Sequence, residues 1–425
     1  MRKTAALSAM TLAFVLALPV VPALAADTDI EIAVPVVVKV QMDAASAIAE
    51  IAGAEGAIVR GSLLESRGLY LIEGTALVDP EKVGEETRKA ADKLGHELAK
   101  DDRVLWAEPL WEATTEDTRF HAWPASDPRE AYEADLTGQP AFAGLGLSEA
   151  SLLATGDGVV VAVLDTGVDA SHPLLVGRVG AGFDMIDDDA DATDDVNGID
   201  DDGDGFVDEA FGHGTFVAGV IAQIAPDATI IPVRVLDADG GGALHTVVEG
   251  IDFAVESGAD VINMSFGLVA KSDSKALKEA LKRARKAGVV VVAAAGNDAD
   301  DDERYPAAIK NIVSVTATDS SGTTLAGFSS RGKWVDVAAP GEGVVSAMPG
   351  GSYAAWDGTS MAAPIVSAQF ALLIELRPEE TPKDLEKLVW KSSRKSSESE
   401  GAEHGIVHIL DSCSEAGGTP IPPEA

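Results

Sequence analysis

The chain has little cysteine, few aromatic residues and few cations. Its only cysteine, Cys413, cannot form a disulfide within one chain, and nothing in the sequence supports a bridge between two chains. Lysine and arginine number 32 against 70 aspartates and glutamates, which gives a formal net charge of −38. Such an excess of negative charge repels nucleic acids and anionic membranes and attracts cations. We therefore expect no nucleic-acid partner, and we expect stability to come from packing or from bound metal.

An apolar run of nearly membrane-spanning length stands at the N-terminus. Two cations precede the run, which covers residues 5–20, and Ala23-Leu24-Ala25 forms a small-x-small cleavage site. The sequence therefore predicts a signal peptide at residues 1–25, secretion of the protein, and no membrane contact after cleavage. The alternative is an uncleaved membrane anchor, which two prolines near the end of the run make less favourable.

Short strand and helix patterns alternate over residues 26–120. This alternation in so short a region predicts a small α/β domain of ferredoxin-like type. A polar, irregular linker follows at residues 121–140. The predicted strands of the small domain cover residues 34–41, 68–72 and 104–108, and its predicted helices cover residues 44–52 and 80–100.

From residue 141 onward, apolar strands rich in Val, Ile and Ala alternate with amphipathic helices. Near-continuous apolar strands of this kind are typical of a parallel sheet with helices on both faces. We therefore predict a doubly wound, mostly parallel α/β domain at residues 141–411. The last residues, 412–425, are rich in Gly and Pro and are predicted to be disordered.

Three polar residues stand at element ends in this domain. Asp165 ends the apolar strand that starts at residue 158, at the edge where ligands collect in open α/β sheets. His213 lies between two glycines at a helix start, and Ser360 lies among small residues between a turn and a helix. Each signal alone has an ordinary structural explanation, such as an N-cap for the serine. Their order along the chain, however, is one in which catalytic triads occur.

Three short motifs around these residues resemble the signature blocks of the subtilisin-like serine peptidases, the subtilases. The resemblance extends from about residue 158 to residue 376, and it implies a serine endopeptidase on a subtilisin-like fold. The motifs are Asp165-Thr166-Gly167, His213-Gly214-Thr215 and Gly358-Thr359-Ser360-Met361-Ala362.

The resemblance implies a chemical role for four residues. Ser360 is the expected nucleophile, His213 carries its proton to the leaving amine, and Asp165 orients the imidazole. Asn297 follows an apolar strand and matches the asparagine of the family's oxyanion hole. The alternative for Asn297 is a purely structural role in turning the chain after Gly296.

Two glycine-containing segments match the family's substrate-binding edges. The resemblance implies that an extended polypeptide adds a strand between them, with main-chain hydrogen bonds giving affinity. The first edge is Gly240, Gly241 and Gly242, which follow Asp239, and the second is Ser265, Phe266 and Gly267.

Arg304 precedes Tyr305-Pro306, where the family shapes the base of its specificity pocket. This position raises the hypothesis that an acidic side chain is favoured before the scissile bond. The alternative is that the acidic residues between Asp298 and Glu303 engage Arg304 and leave an ordinary apolar pocket.

The N-terminal domain resembles the inhibitory propeptide of subtilases, more in topology than in sequence. Trp106-Ala107-Glu108-Pro109 is similar to the end of that propeptide. The resemblance implies a zymogen that is inhibited by its own propeptide and is cut within the linker. An accessory domain that stays in the mature protein is the alternative. We expect the protein to be a monomer.

The segment at residues 184–209 is acidic and contains no Lys or Arg. Its alternating carboxylates are hard oxygen ligands of the kind that Ca²⁺ prefers, so we predict a structural calcium site. The match to an EF-hand loop is partial, and a solvated acidic loop is the alternative. The predicted ligands are Asp200, Asp202, Asp204, Asp208 and Glu209.

The sequence departs from the family pattern at two places near the motifs. Phe216 replaces a usual second histidine, and Ile365-Val366-Ser367-Ala368 replaces the usual His-Val-Ala-Gly. Neither place belongs to the triad. Because all four residues with an expected chemical role are present, a catalytically silent, calcium-stabilised binding protein is only the second hypothesis. An esterase is disfavoured because the serine lacks a Gly-x-Ser-x-Gly elbow.

Overall fold

The computed structural model describes residues 30–64, 67–78, 82–109, 120–121, 125–201, 203–267, 274–395 and 399–419. The predicted signal peptide and Asp202, one of the predicted calcium ligands, lie outside the described residues.

The N-terminal domain is an antiparallel sheet with the strand order β2-β3-β1-β4 and two α-helices, which confirms the predicted ferredoxin-like topology. Strand β2 was not predicted, because most of its residues are exposed and it has no clear apolar alternation. The elements are β1 Ile30–Val40, a 3₁₀ turn Met42–Ala47, α1 Ile48–Ala54, β2 Ile58–Leu64, β3 Leu69–Val78, α2 Val83–Leu98 and β4 Val104–Pro109.

The larger domain is built on seven parallel strands in the order β14-β13-β12-β11-β7-β9-β8. The strands after β4 are β5 Phe120–His121, β6 Arg129–Ala131, β7 Val160–Asp165, β8 Phe183–Asp184, β9 Thr229–Arg234, β10 Gly241–Gly242, β11 Val261–Met264, β12 Val290–Ala294, β13 Val313–Thr318, β14 Val337–Pro340, β15 Val344–Met348 and β16 Ser352–Trp356. The helices after α2 are α3 Leu147–Ala150, α4 His213–Ile224, α5 Leu244–Glu256, α6 Lys275–Lys286, α7 Thr359–Leu376, α8 Pro382–Ser392 and α9 Ile409–Glu415.

Helices cover both faces of this sheet, which confirms the predicted doubly wound class. Alternate residues of β7 serve the two faces: Val161 and Val163 join the core under α4 and α7, whereas Ala162 and Leu164 join the core under α5 and α6. Both cores are apolar, so the strands are buried on both sides and read as continuous hydrophobic runs.

Helix α7 runs through the first of these cores. Among the described residues it is the one helix long and apolar enough to cross a membrane, but 83% of its apolar window is buried inside the protein. Ile365 and Ala368, which stand where the family pattern has histidine and glycine, are fully buried there. The departures from the family pattern in α7 therefore fill the core.

The prediction of a disordered tail from residue 412 is wrong for residues 412–419. Helix α9 continues to Glu415, and Ser412 accepts a 2.8 Å hydrogen bond from Gln369 of α7. Cys413 is fully buried, and burial raises the pKa of its thiol to about 12. The apolar contacts of α9 outweigh the glycines and prolines that follow it, and they keep the thiol away from a second chain.

The N-terminal domain packs on α5 and α6 of the larger domain. Val37, Leu64 and Leu69 belong to the same hydrophobic cluster as the side chains under these helices. Glu108 of β4 accepts hydrogen bonds of 2.7 Å from the Ser274 hydroxyl and the Ala276 amide, at the start of α6. An acidic side chain at a helix N-terminus is electrostatically favourable.

Candidate active site

Asp165 and His213 meet at the carboxyl end of β7. The Nδ1 atom of His213 lies 2.7 Å from Oδ1 of Asp165, and both side chains are fully buried. His213 is the first residue of α4, and a Cβ atom on the next residue, Gly214, would lie 2.2 Å from the carbonyl oxygen of Gly167. Only glycine therefore allows α4 to start directly against the loop that follows Asp165.

Ser360 stands in the first turn of α7, but its hydroxyl is not bonded to the imidazole. Its Oγ donates a 2.8 Å hydrogen bond to the carbonyl oxygen of Ser265. The Nε2 atom of His213 is buried and has no hydrogen-bond partner among the residues that the structure describes. Hydrogen bonds between a nucleophile and its base are often loose without substrate. A role as nucleophile would require the hydroxyl to leave Ser265 and turn to the imidazole.

Asn297 lies beside the serine, after β12. Its Oδ1 accepts hydrogen bonds from the amide and the hydroxyl of Thr359, at 2.9 and 3.1 Å. This orients the other end of the amide, and a Cβ atom on Gly358 would lie 3.4 Å from Nδ2. The backbone amide of Ser360 is in the first helical turn, where amides have no intrahelical acceptor. Two donors thus lie near the serine.

A cavity of about 230 Å³ adjoins these groups. The guanidinium of Arg304 lies in its wall, and the residue is only 5% exposed. Arg304 contacts Asp300 at 2.8 Å and Asp298 at 3.2 Å, so two carboxylates offset its charge. The cavity is lined by Ala125, Phe266, Gly267, Ala294, Gly296, Asn297, Asp298, Arg304, Thr359 and Ser360.

A strand of the chain itself lies on the first predicted substrate edge. Backbone pairing is antiparallel and joins Gly241 to His121 and Gly242 to Phe120. Further along, Ala125 lines the cavity and donates a 2.8 Å hydrogen bond to the carbonyl of Asp357. The residues between, 122–124, lie outside the described residues. The edge formed by Gly240, Gly241 and Gly242 is therefore able to pair with an extended chain.

The second predicted edge also reaches the cavity. Phe266 and Gly267 belong to its lining, and Ser265 donates a 2.8 Å hydrogen bond from its Oγ to the carbonyl of Ser360. The cavity therefore brings together five predicted residues, and Ser265 contacts one of them, Ser360. The five are Asn297, Ser360, Phe266, Gly267 and Arg304. Asp165 and His213 form the buried pair at the end of β7, and Gly241 and Gly242, which follow Gly240, pair with β5.

The predicted calcium ligands lie on a separate loop and cap its backbone. Asp200 accepts hydrogen bonds from the amides of Gly203 and Gly205, and Asp204 from Phe206. Asp208 accepts from the amides of residues 197 and 198. Within the described ranges, no three of the carboxylates of Asp200, Asp204, Asp208 and Glu209 lie within 4.8 Å of one another. A cation there would require some carboxylates to turn from backbone amides.

Two carboxylates near the site escaped sequence reasoning. Asp357, three residues before Ser360, forms a bidentate contact with Arg129 at 2.6 and 2.8 Å, which lowers the pKa of Asp357 to about 2. Asp194 is buried beside Asp165 and His213. Its position in an acid-rich segment concealed it, because composition does not tell a buried aspartate from its exposed neighbours.

Comparison with known sequences gives consistent matches. A model of the subtilase family matches residues 156–408. The major intracellular serine protease of Bacillus subtilis is 42% identical over 236 residues, which cover 51% of this chain and 69% of that protein. Subtilisin E of Bacillus subtilis is 36% identical over 300 residues, which cover 68% of this chain and 69% of that protein.

Comparison with solved structures extends the likeness to the N-terminal domain. Fervidolysin from Fervidobacterium pennivorans, described as a keratinolytic enzyme related to subtilisin, matches with a TM-score of 0.65 and 26% identity over 94% of this chain and 63% of that chain. A protease from Pseudoalteromonas arctica matches with a TM-score of 0.61 and 32% identity over 68% of this chain and 100% of that chain.

Proposed function

The chain belongs to the subtilase family and is a subtilisin-like serine endopeptidase, and on this premise we propose that it is a secreted zymogen with Asp165, His213 and Ser360 as its catalytic triad. The observation that carries the proposal is the buried 2.7 Å contact between Asp165 and His213. It leaves the opposite ring nitrogen, which is buried and unpartnered among the described residues, to accept a proton.

In the proposed mechanism the Ser360 hydroxyl attacks the carbonyl carbon of the scissile peptide bond, and Nε2 of His213 takes its proton. Asp165 holds the imidazole by Nδ1 and stabilises the imidazolium. The oxyanion receives hydrogen bonds from Nδ2 of Asn297 and the amide of Ser360. His213 then donates its proton to the leaving amine, and a water molecule hydrolyses the acyl-enzyme in the reverse sequence of proton transfers.

Substrate binding by strand addition is supported by the chain's own β5. A short segment pairs with Gly241 and Gly242 just upstream of Ala125, which lines the cavity beside Ser360. A peptide substrate would take the same place and direction. The same arrangement supports a zymogen in which the linker crosses the cleft and is cut between His121 and Ala125.

The inhibitory role of the N-terminal domain is supported by its packing. Its β-sheet shares a hydrophobic cluster with α5 and α6, and its Glu108 caps α6. Strand β5 follows the domain in sequence and pairs with Gly241 and Gly242, so docking of the domain and occlusion of this edge would act together. The alternative, an accessory domain retained after processing, predicts that the mature protein keeps residues 26–120.

Secretion rests on the N-terminal sequence alone. Relatives include both an intracellular protease and subtilisins, so family membership does not decide the compartment. The basic start, the apolar run and the Ala23-Leu24-Ala25 site support export. We further propose that the protein acts as a monomer on extended polypeptides.

Calcium is proposed as a structural ion at the acidic loop. Asp200, Asp204, Asp208 and Glu209 offer carboxylate oxygens, the donors that Ca²⁺ takes, in a segment whose own sequence contains no Lys or Arg. The loop is joined to the cleft, because Asp239 accepts hydrogen bonds from its backbone amides and directly precedes Gly240. An ion bound to these residues would hold the loop and would take no part in the proton transfers.

Replacement of Ser360 by alanine tests the proposed function. We expect Ser360→Ala to abolish peptide hydrolysis and to leave the linker uncut, as judged by N-terminal sequencing of the secreted protein. Ser329→Ala is the matched control, since Ser329 is also buried and hydroxyl-bonded, to Ala317. Fluorophosphonate should label the wild type and the control only. A wild type that neither cleaves peptides nor takes the label would favour the silent binding protein.

A further inference from the structure

Asp194 is a third buried carboxylate beside Asp165 and His213. It belongs to the acidic segment before α4 but is only 2% exposed. Its Oδ1 accepts hydrogen bonds from the Thr166 hydroxyl and the Gly212 amide, both at 3.2 Å. Its Oδ2 accepts from the hydroxyl and the amide of Thr215, at 2.7 and 3.2 Å. Four donors therefore converge on one carboxylate.

The donors lie within two residues of Asp165 or His213 along the chain. Thr166 follows Asp165, and Gly212 and Thr215 lie on either side of His213. The Thr166 hydroxyl also accepts a 3.0 Å hydrogen bond from the Gly214 amide. Asp194 thus joins the loop after β7 to the start of α4, the two backbone segments that carry Asp165 and His213.

The carboxylate replaces a local helix cap. The N-cap of α4 is Gly212, which has no side chain to accept the first amides of the helix. Asp194 accepts the amides of Gly212 and Thr215, and Thr166 accepts that of Gly214. Negative charge at a helix N-terminus is also favourable. The first turn of α4, which begins with His213, is therefore fixed by a residue outside the helix.

The backbone around Asp194 leaves little room for adjustment. A Cβ atom on Gly167, two residues after Asp165, would lie 2.8 Å from the Asp194 amide nitrogen and 2.6 Å from the carbonyl oxygen of Thr193. Because packed interiors transmit displacements, a change at Asp194 would reach the Asp165 loop directly.

We infer that Asp194 is a positioning residue that holds Asp165 and His213 in register for proton transfer, an inference that rests on the proposed roles of these two residues. Its charge contributes as well. Burial raises the pKa of the Asp194 carboxyl to about 7, against the effect of its hydrogen bonds from Thr215 and Gly212. The charged groups that interact with it are Asp165 and Arg234. Once ionised, Asp194 places a second negative charge near Asp165 and the start of α4, where the imidazolium of the proposed mechanism forms.

Asp194→Asn in the full chain tests the inference, with Asp260→Asn as the matched control. Asp260 caps the opposite end of β7 by accepting a 2.9 Å hydrogen bond from the Val160 amide. We expect Asp194→Asn to lower kcat roughly 10- to 100-fold with little change in KM, because a displacement of about 1 Å costs about that much. The acid limb of kcat/KM should move to lower pH in this variant alone. Asp260→Asn should lower Tm and leave both readouts unchanged.

Each outcome decides the inference. A kcat equal to that of the wild type overturns it, and so does a loss of kcat without a shift of the acid limb, which a merely structural role would produce. If Asp194→Asn does not fold, Thr166→Val decides in its place, since it removes the hydroxyl that donates to Asp194 and accepts from the Gly214 amide but keeps the Asp194 charge. Thr166→Val should lower kcat and Thr166→Ser should restore it, and an unchanged kcat in Thr166→Val overturns the inference. An inactive wild type, or an active Ser360→Ala, would instead refute the proposed function.

Discussion

Replacement of Lys39 by methionine should weaken the hold of the N-terminal domain on the peptidase domain. Lys39 and Arg67 both bind the same oxygen of Glu249 on α5, and the Arg67 contact measures 2.8 Å. The Glu249 side chain is 0% exposed, whereas those of Lys39 and Arg67 are 11% and 13% exposed. The contact between Lys39 and Glu249 therefore differs from an ordinary surface salt bridge, because the carboxylate of Glu249 is shielded from solvent.

The expected magnitude follows from that burial. Truncating one partner of a buried, hydrogen-bonded charge pair costs about 2–5 kcal/mol, since the other charge stays desolvated. Arg67 still bonds to Glu249 in Lys39→Met, so the loss of binding free energy between the two domains should lie near the lower end of this range. A loss of about 2 kcal/mol corresponds to a roughly 30-fold weaker complex.

Inhibition of the mature enzyme by the separate N-terminal domain provides the assay. The inhibition constant, measured with a chromogenic peptide, should rise roughly 30-fold for Lys39→Met. Lys100→Met is the matched control, because Lys100 pairs with Glu97 of its own domain and is 58% exposed. In an enzyme carrying Glu249→Gln, Lys39→Met should have a much smaller effect. Equal constants for the Lys39 and Lys100 variants would refute the reasoning.

Two further predictions concern specificity and metal. Glu before the scissile bond should not be preferred over Leu in a peptide library, because Asp298 and Asp300 offset the charge of Arg304. In the double variant Asp298→Asn plus Asp300→Asn the Glu/Leu ratio should rise on the order of tenfold, since a hydrogen bond to a charged group contributes about 1.5–3 kcal/mol. An unchanged ratio would contradict this reasoning. Removal of calcium by a chelator should lower Tm and should raise KM, because Asp239 connects the acidic loop to Gly240, and Ca²⁺ should reverse both effects more than Mg²⁺. Ca²⁺ at a hundredfold excess over its Kd should restore about 2.7 kcal/mol of folding stability. Identical melting curves with and without chelator would exclude the site.

Sequence reasoning identified the family because its motifs consist of contiguous residues. The Asp165, His213 and Ser360 motifs each combine a polar side chain with small neighbours, and the small neighbours have a steric cause. At Gly214, a Cβ atom would collide with the carbonyl of Gly167. Apolar strand patterns likewise predicted the sheet, because its strands are buried on both faces.

Sequence reasoning failed where the deciding contact is distant along the chain. The burial of Asp194 depends on Thr166 and Thr215, neither of which is adjacent to it. Disorder of the tail was predicted from its glycines and prolines, but Ser412 accepts a hydrogen bond from Gln369 of α7. The pairing of Arg304 was an open alternative, since charge spacing alone does not say which carboxylates reach a guanidinium.

The position of the site follows from the order of the strands. Strand β7 lies between β9 and β11, so the chain leaves it toward one side of the sheet and later returns on the other. Such a switch point opens a crevice at the carboxyl ends of the strands. Asp165 ends β7, Ser265 follows β11 and Asn297 follows β12, so all three lie at this edge. Helix α7 then brings Ser360 to the carbonyl of Ser265. Because the proposed catalytic groups come from separate elements fixed by one sheet, a displacement of α4 alone would separate His213 from its partners.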